Sequence, residues 1–183
     1  MIAPVDVTHI RIETERLILR AWRESDLEDF YEYAKVDGVG QMAGWLPHKN
    51  KEESRRILQL FLAEKKTLAM ELKENGKVIG SVGLEWRDKN LGIEDQLAGR
   101  EIGYVLSKDY WGRGIMPEAV KAVVRYCFEN LNCDYLICSC SPENSQSARV
   151  IEKSGFRFVM EKSRNLRDGT VRTARYHVLD KQM

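Results

Sequence analysis

The sequence predicts a mixed α/β domain, a largely antiparallel sheet flanked by helices and containing one parallel crossover. Three observations carry that prediction. Strand-like and helix-like segments alternate along 183 residues with no repeat, low-complexity tract or Pro/Gly/Ser linker, which points to a single domain over residues 1–183. Two hairpin signals, Asn75-Gly76 and Asp168-Gly169, join consecutive strands. Between Glu101 and Ser141, a strand, a glycine-containing turn, a helix and another strand follow in the order of a βαβ unit.

Leu17 to Trp22 reads as the first strand. Ser25 is a candidate N-cap with Glu28 three residues on, and Leu27, Phe30, Tyr31 and Ala34 recur at helical spacing, which predicts a helix to about Val36. Asp37 to His48 holds three glycines and a Leu-Pro pair and reads as a loop. Asn50 and Glu53 form a capping box for a second helix with an apolar stripe through Ile57, Leu60 and Phe61. Thr67 to Leu72 and Lys77 to Trp86 are strands joined at Asn75-Gly76, and Arg87 to Gly99 is a polar loop. Glu101 to Leu106 is the fourth strand. Pro117 suits the first turn of the helix that Ala119, Val120, Val123, Val124 and Cys127 extend with a buried face. Tyr135 to Ser141 is the fifth strand, a short helix runs from about Ser145 to a cap at Gly155, and Arg157 to Ser163 and Val171 to Leu179 close the sheet.

Composition excludes several classes. Hydrophobic residues at 43% and charged residues at 31% suit a folded globular chain. A net charge of +1 provides no basic field for nucleic acid. Apolar runs fall far short of the roughly 20 residues needed to cross a bilayer, and Met1 to His9 lacks the pattern of a signal peptide, so a cytoplasmic location is expected. The four cysteines, Cys127, Cys133, Cys138 and Cys140, lack C-x-x-C spacing and read as buried thiols, with no metal expected.

The turn Tyr110-Trp111-Gly112-Arg113-Gly114-Ile115-Met116 carries the chemistry. Glycines there let a backbone approach a ligand closely, and the unpaired amides of the following helix sit at the positive end of its dipole, a cradle for a pyrophosphate. Lys108 and Arg113 either add charge or are solvated surface residues. The turn lacks the third glycine of a dinucleotide fingerprint and the Gly-Lys-Ser/Thr ending of a P-loop.

Three ordered blocks resemble the GNAT superfamily of N-acetyltransferases: Glu101-Ile102-Gly103-Tyr104-Val105-Leu106, then Tyr110 to Gly114 with Glu118-Ala119, then Asn144 and Ser147 ending in Glu152-Lys153 and Gly155-Phe156. Thr14-Glu15-Arg16-Leu17-Ile18-Leu19-Arg20 and Trp45-Leu46-Pro47-His48 are similar to the RimJ/RimL-type branch, which modifies ribosomal-protein N-termini. The resemblance implies the GNAT fold: a mixed, mostly antiparallel seven-stranded sheet with its fourth and fifth strands splayed, flanked by about four helices.

It also implies direct transfer of the acetyl group of acetyl-CoA to a primary amine in a ternary complex. The backbone of Tyr104, Val105 and Leu106 would pair with the pantetheine arm, the amides of Gly112, Arg113, Gly114, Ile115 and Met116 would bind the pyrophosphate, and Asn144 would reach the cofactor arm. Glu101 matches the general base, acting directly or through water, or is a strand glutamate pairing with a cation. Ser147 matches the acid that protonates the CoA thiolate, or is a first-turn residue bonding a free amide. The oxyanion would meet a backbone amide near Val105. The chain departs from the family pattern at Trp111, where Arg or Gln is usual, at Met116, where Gly or Ala is usual, and at Ile151, where many relatives carry a tyrosine acid.

Cys138 and Cys140 have no histidine nearby in sequence, which favours direct over covalent transfer. The acceptor site would be framed by the Gly38 to His48 loop and by the closing hairpin at 165–173. Trp45, His48 and Trp86 are candidate acceptor contacts or packing residues. Two other readings stand beside the enzyme: a CoA-binding module without catalysis, and a nucleotide binder using the same turn. Dimers are frequent in the family, though no feature of this sequence demands one.

Overall fold

The computed structural model describes residues 1–86, 91–165 and 170–181, the side chains of residues 164 and 165 excepted. Eight strands form one sheet: β1 Arg11–Glu13, β2 Leu17–Ala21, β3 Thr67–Leu72, β4 Val78–Glu85, β5 Gly99–Leu106, β6 Tyr135–Cys140, β7 Arg157–Asn165 and β8 Val171–Asp180. Four longer helices accompany them: α1 Leu27–Ala34, α2 Lys51–Glu64, α3 Ile115–Glu129 and α4 Ser145–Lys153. The strand order is β1-β2-β3-β4-β5-β6-β8-β7, antiparallel throughout except for the parallel β5–β6 pair.

The sheet has eight strands where seven are expected. The extra one, β1, is three residues with only Ile12 buried, too short for alternation to reveal it. It is held by a tight return in which the Thr14 amide donates to the Leu17 carbonyl (3.0 Å) and the Leu17 amide to Thr14 Oγ1 (3.0 Å). The Asp168-Gly169 turn lies outside the described residues, but β7 and β8 pair as far as Asn165 opposite Val171, which makes them a hairpin.

Helix α1 has Asp26, not Ser25, at its N-cap position, with no side-chain cap bond there, and ends at Ala34. Asp26 is drawn inward: its carboxylate accepts from Arg20 Nη1 (2.8 Å), Arg20 Nη2 (2.9 Å) and the Arg23 amide (2.8 Å). Helix α2 is capped by Asn50 as expected, its Oδ1 accepting from the Glu53 amide (2.9 Å), but Glu53 reaches back to the Lys49 amide (2.8 Å) and not to the Asn50 amide of a capping box. Helix α4 starts at Asn144, whose Oδ1 accepts from the Ser147 amide (3.0 Å), and is followed by Gly155 at φ 87°.

Helices α1 and α2 cover one face of the sheet with a core of Trp22, Phe30, Tyr33, Leu58 and Ala69. Helices α3 and α4 cover the other, where Val82, Leu84 and Ile102 meet Ala119, Val120, Val123 and Ile151. A third cluster, of Leu91, Tyr135, Ile137, Ala174, Tyr176 and Val178, fills the far end. Among the described residues no helix is long and apolar enough to cross a membrane.

Candidate active site

The β5–β6 register opens a fork in the sheet. Gly99 to Ile102 pair with Tyr135 to Cys138, and there the pairing stops, although β5 continues to Leu106 and β6 to Cys140. On its other side β5 stays bonded to β4 past that point, from Glu101 opposite Glu85 to Leu106 opposite Gly80. The last four residues of β5 therefore present one open backbone edge in mid-sheet.

Strand alternation decides which groups face the fork. A Cβ added at Gly80 would overlap the Val105 carbonyl oxygen, so the Val105 backbone points towards β4. The Ile102 carbonyl instead accepts from Cys138 Sγ on β6 (3.3 Å), and the Leu106 carbonyl accepts from Trp111 Nε1 (2.8 Å). Amides of the same parity as Ile102 face the fork, so the Tyr104 amide is turned towards it and the Val105 amide towards β4.

At the fork's open end the chain turns into α3. Gly112 and Gly114 have φ of 76° and 72°, a region costly for residues with a Cβ, and a Cβ at Gly112 would meet nothing within 4 Å. The surface is thus open to a ligand at the backbone. The Ile115 and Met116 amides begin the helix without intrahelical acceptors, Pro117 has no N–H to satisfy, and the Glu118 amide returns to the Gly114 carbonyl (3.3 Å). These features fit a pyrophosphate. Arg113 is exposed and lies over the Tyr110 ring (5.3 Å), and Lys108 Nζ lies 5.9 Å from the Trp111 ring.

Both departures in the turn have structural explanations. Trp111 fastens the turn to the end of β5 through its indole N–H and packs against the cores on both faces. Met116 is buried among the α3 core residues, so its side chain points away from the turn's surface.

A strap that sequence reading missed anchors the turn to the start of the sheet. Glu118 Oε1 accepts from Thr14 Oγ1 (2.5 Å) and the Arg16 amide (2.9 Å), and Oε2 pairs with Arg16 Nη2 (2.6 Å). Arg16 Nη1 also donates to the Arg113 carbonyl (2.9 Å). Partial burial pushes the Glu118 carboxyl up, but the Thr14 and Arg16 bonds outweigh it and hold the group below the usual carboxylate value. Thr14, Arg16 and Glu118 all lie within the motif blocks, yet their partnership spans about a hundred residues and has no local signature.

Glu101 and Tyr104 differ in parity, so their side chains leave β5 on opposite faces. Glu101, on the α1/α2 side, is buried and accepts from Ser139 Oγ of β6 (2.6 Å). Gly103 shares that face opposite Gly83, and a Cβ at Gly103 would meet nothing within 4 Å, which leaves a floor bare of side chains beside Glu101. Glu85, opposite Glu101, is held by Lys66 Nζ (2.8 Å). On the α4 side, Tyr104 Oη lies 2.8 Å from Ser147 Oγ. Cys138 is fully buried there; burial first, then the Glu101 charge, push its thiol up and keep it protonated.

Of the three candidate acceptor residues, Trp45 and His48 lie together and Trp86 stands apart from them. His48 is buried, with Nδ1 2.7 Å from Ser54 Oγ and its ring against Phe30 (5.3 Å) and Trp45 (5.0 Å), and burial lowers its pKa. Trp45 is half-buried against Gly40, where a Cβ would overlap its ring. Trp86 is exposed and stacks with Arg100 (5.4 Å), whose parity is that of Tyr104, so it lies across the sheet from Glu101.

Fold and site define an acetyltransferase, and the comparisons agree: residues 16–157 match the Acetyltransferase (GNAT) domain, and the chain belongs to that family. It is 28% identical over 148 residues to p20, an uncharacterized N-acetyltransferase of Bacillus licheniformis, with 78% of this chain and 80% of that protein covered. Its identity to the YnaD N-acetyltransferase of Bacillus subtilis is also 28%, over 81% of this chain and 83% of the relative. Among solved structures it resembles a GNAT-family acetyltransferase from Bacillus anthracis, with a TM-score of 0.80 at 23% identity, covering 93% of this chain and 98% of that one. A ribosomal-protein-S5-alanine acetyltransferase from Vibrio fischeri superposes with a TM-score of 0.70 at 22% identity, covering 93% and 96%.

Proposed function

We propose that the chain transfers the acetyl group of acetyl-CoA directly to a primary amine, either a protein N-terminus or a small-molecule amine, within a ternary complex at the β5–β6 fork. The observation that carries this reading is the placement of Glu101 and the Tyr104–Ser147 pair on opposite faces of one strand where the sheet opens. A base on one face and a hydroxyl donor on the other suit an acceptor arriving from the α1/α2 side and a thiolate leaving on the α4 side.

In this reading acetyl-CoA supplies the activated acyl group, and the chain's residues arrange and exchange protons around it. The open edge of Tyr104 to Leu106 offers backbone partners to the pantetheine arm, and the amides of the Gly112 to Met116 turn meet the pyrophosphate. Asn144 fixes the start of α4, which brings Ser147 to the fork. The Tyr104 amide faces the position where an oxyanion develops. Glu101, oriented by Ser139, takes the proton of the attacking amine directly or through water, and Ser147 donates towards the departing sulfur. The buried, protonated Cys138 supports direct rather than covalent transfer.

The test is incubation with acetyl-CoA and a panel of N-terminal peptides and small amines, following free CoA with a thiol reagent and products by mass. Release dependent on one acceptor class supports the reading and names the substrate type. Tight CoA binding with no transfer across the panel points instead to a binding module.

A further inference from the structure

Ser147 is engaged at three atoms. Its amide donates to Asn144 Oδ1 (3.0 Å), and Tyr104 Oη lies 3.3 Å from its carbonyl and 2.8 Å from its Oγ. One phenol proton must choose between the last two, with the neighbouring Cys138 sulfur a weaker third acceptor. If it goes to the carbonyl, which can only accept, the Ser147 O–H is left to donate back to Tyr104 and turns away from the fork. If it goes to Oγ, along the shorter contact, the serine proton must point elsewhere. Only the second arrangement leaves Ser147 a donor into the fork, and the 2.8 Å distance is the one typical of an O–H···O bond.

Burial pushes the Tyr104 phenol well above its ordinary range, with neighbouring Cys138 and Cys140 reinforcing the effect, so Tyr104 keeps its proton while sharing it. Cys138 and Cys140 are themselves held protonated by burial, so no charged neighbour among these groups competes for that bond. The pair also spans from β5 to α4 on the side of the sheet opposite Glu101.

We propose that Tyr104 is a positioning residue for acetyl transfer: its phenol donates to Ser147 Oγ and thereby fixes the serine hydroxyl as a hydrogen-bond donor towards the sulfur of CoA. This rests on the acetyl-CoA reading above. No proton passes between Tyr104 and Ser147; the phenol sets only a direction. It also accounts for a site without a tyrosine at Ile151, since the phenol here acts from β5.

The test reads the bound thiol and needs no acceptor. CoA complexes of the full chain, wild type, Y104F, S147A and the double variant, are titrated by thiolate ultraviolet absorbance against matching desulfo-CoA complexes, which subtracts the protein's own groups. A directed donor stabilises the thiolate, so wild type should show the lowest bound-thiol pKa, with S147A and Y104F each raised by about one pH unit and the double variant by no more than either. Calorimetric CoA affinity should change by less than about threefold, since the pantetheine and pyrophosphate contacts are backbone. Y104F titrating as wild type, or the two shifts adding in the double variant, would overturn the proposal. Wild type failing to bind CoA would instead remove the acetyl-CoA reading and this proposal with it. Should Y104F not fold, fluorotyrosine placed at position 104 keeps the shape and strengthens the donor; it should lower the bound-thiol pKa, and no change overturns the proposal.

Discussion

Glu101 illustrates how a residue acquires a role from its neighbours. It is buried on β5, accepts a hydrogen bond from Ser139 of the adjacent strand, and lies beside the bare floor at Gly103. E101Q keeps the shape and the Ser139 bond but removes the proposed base, so kcat should fall about 10²- to 10⁴-fold in steady-state assays with CoA affinity unchanged. Equal activity in E101Q would transfer the base to another group. Glu118 makes a different prediction. Its folded-state pKa is depressed, so its stabilisation is present above the unfolded carboxylate value and is lost as pH falls through the lower folded value. Thermal melts of wild type and E118Q should therefore differ at neutral pH, by about 1 kcal/mol for a partly exposed ion pair, and converge in acid. A difference that persists in acid would mean that geometry, not charge, holds the strap.

At the scale of elements, β5 does most to define the site. One strand binds β4 from Glu101 to its end at Leu106 and releases β6 after Ile102, which opens an edge without leaving the strand unsupported. Trp111 then fixes where the strand ends and the turn begins. Gly103 lies on the exposed part of this strand, with room for a side chain and no positive φ to forbid one. G103V should fold and bind CoA like wild type but raise the acceptor KM at least several-fold, because the added methyls occupy the floor beside Glu101. An unchanged KM would place the acceptor elsewhere. Gly112 is the opposite case: space is free, but φ is 76°, so G112A should destabilise by about 1–2 kcal/mol in denaturant titrations.

For the whole molecule, helices on both faces enclose a sheet whose α1/α2 side is pinned by a buried ionic cluster. Arg20 and Asp26 are 5% and 6% exposed, and Arg20 Nε also pairs with Glu71 (2.6 Å). Asp26, then Glu71, hold the guanidinium charged against the cost of burial. Removing the cation strands two carboxylates, so R20A should cost about 3–5 kcal/mol in chemical denaturation while leaving CoA affinity intact in whatever fraction folds. A loss below about 1 kcal/mol would show that water reaches the cluster.

The sequence by itself determined the order of the elements, the hairpin at Asn75-Gly76, the glycine turn before α3, the cap at Asn144 and the motif positions of Glu101 and Ser147. Each is written in a few adjacent residues, through periodicity, φ preference or side-chain capping. Only the tertiary structure decided that β5 and β6 part after Ile102, which face of the sheet each of Glu101 and Tyr104 takes, and that Ser139 meets Glu101 and Tyr104 meets Ser147. It also placed Trp86 across the sheet from Glu101 and His48 in a core, and joined Thr14 and Arg16 to Glu118. These facts depend on strand register and on contacts between residues from about 40 to over 100 positions apart, as in the 43-residue separation of Tyr104 from Ser147, and no local pattern encodes a partner at that distance.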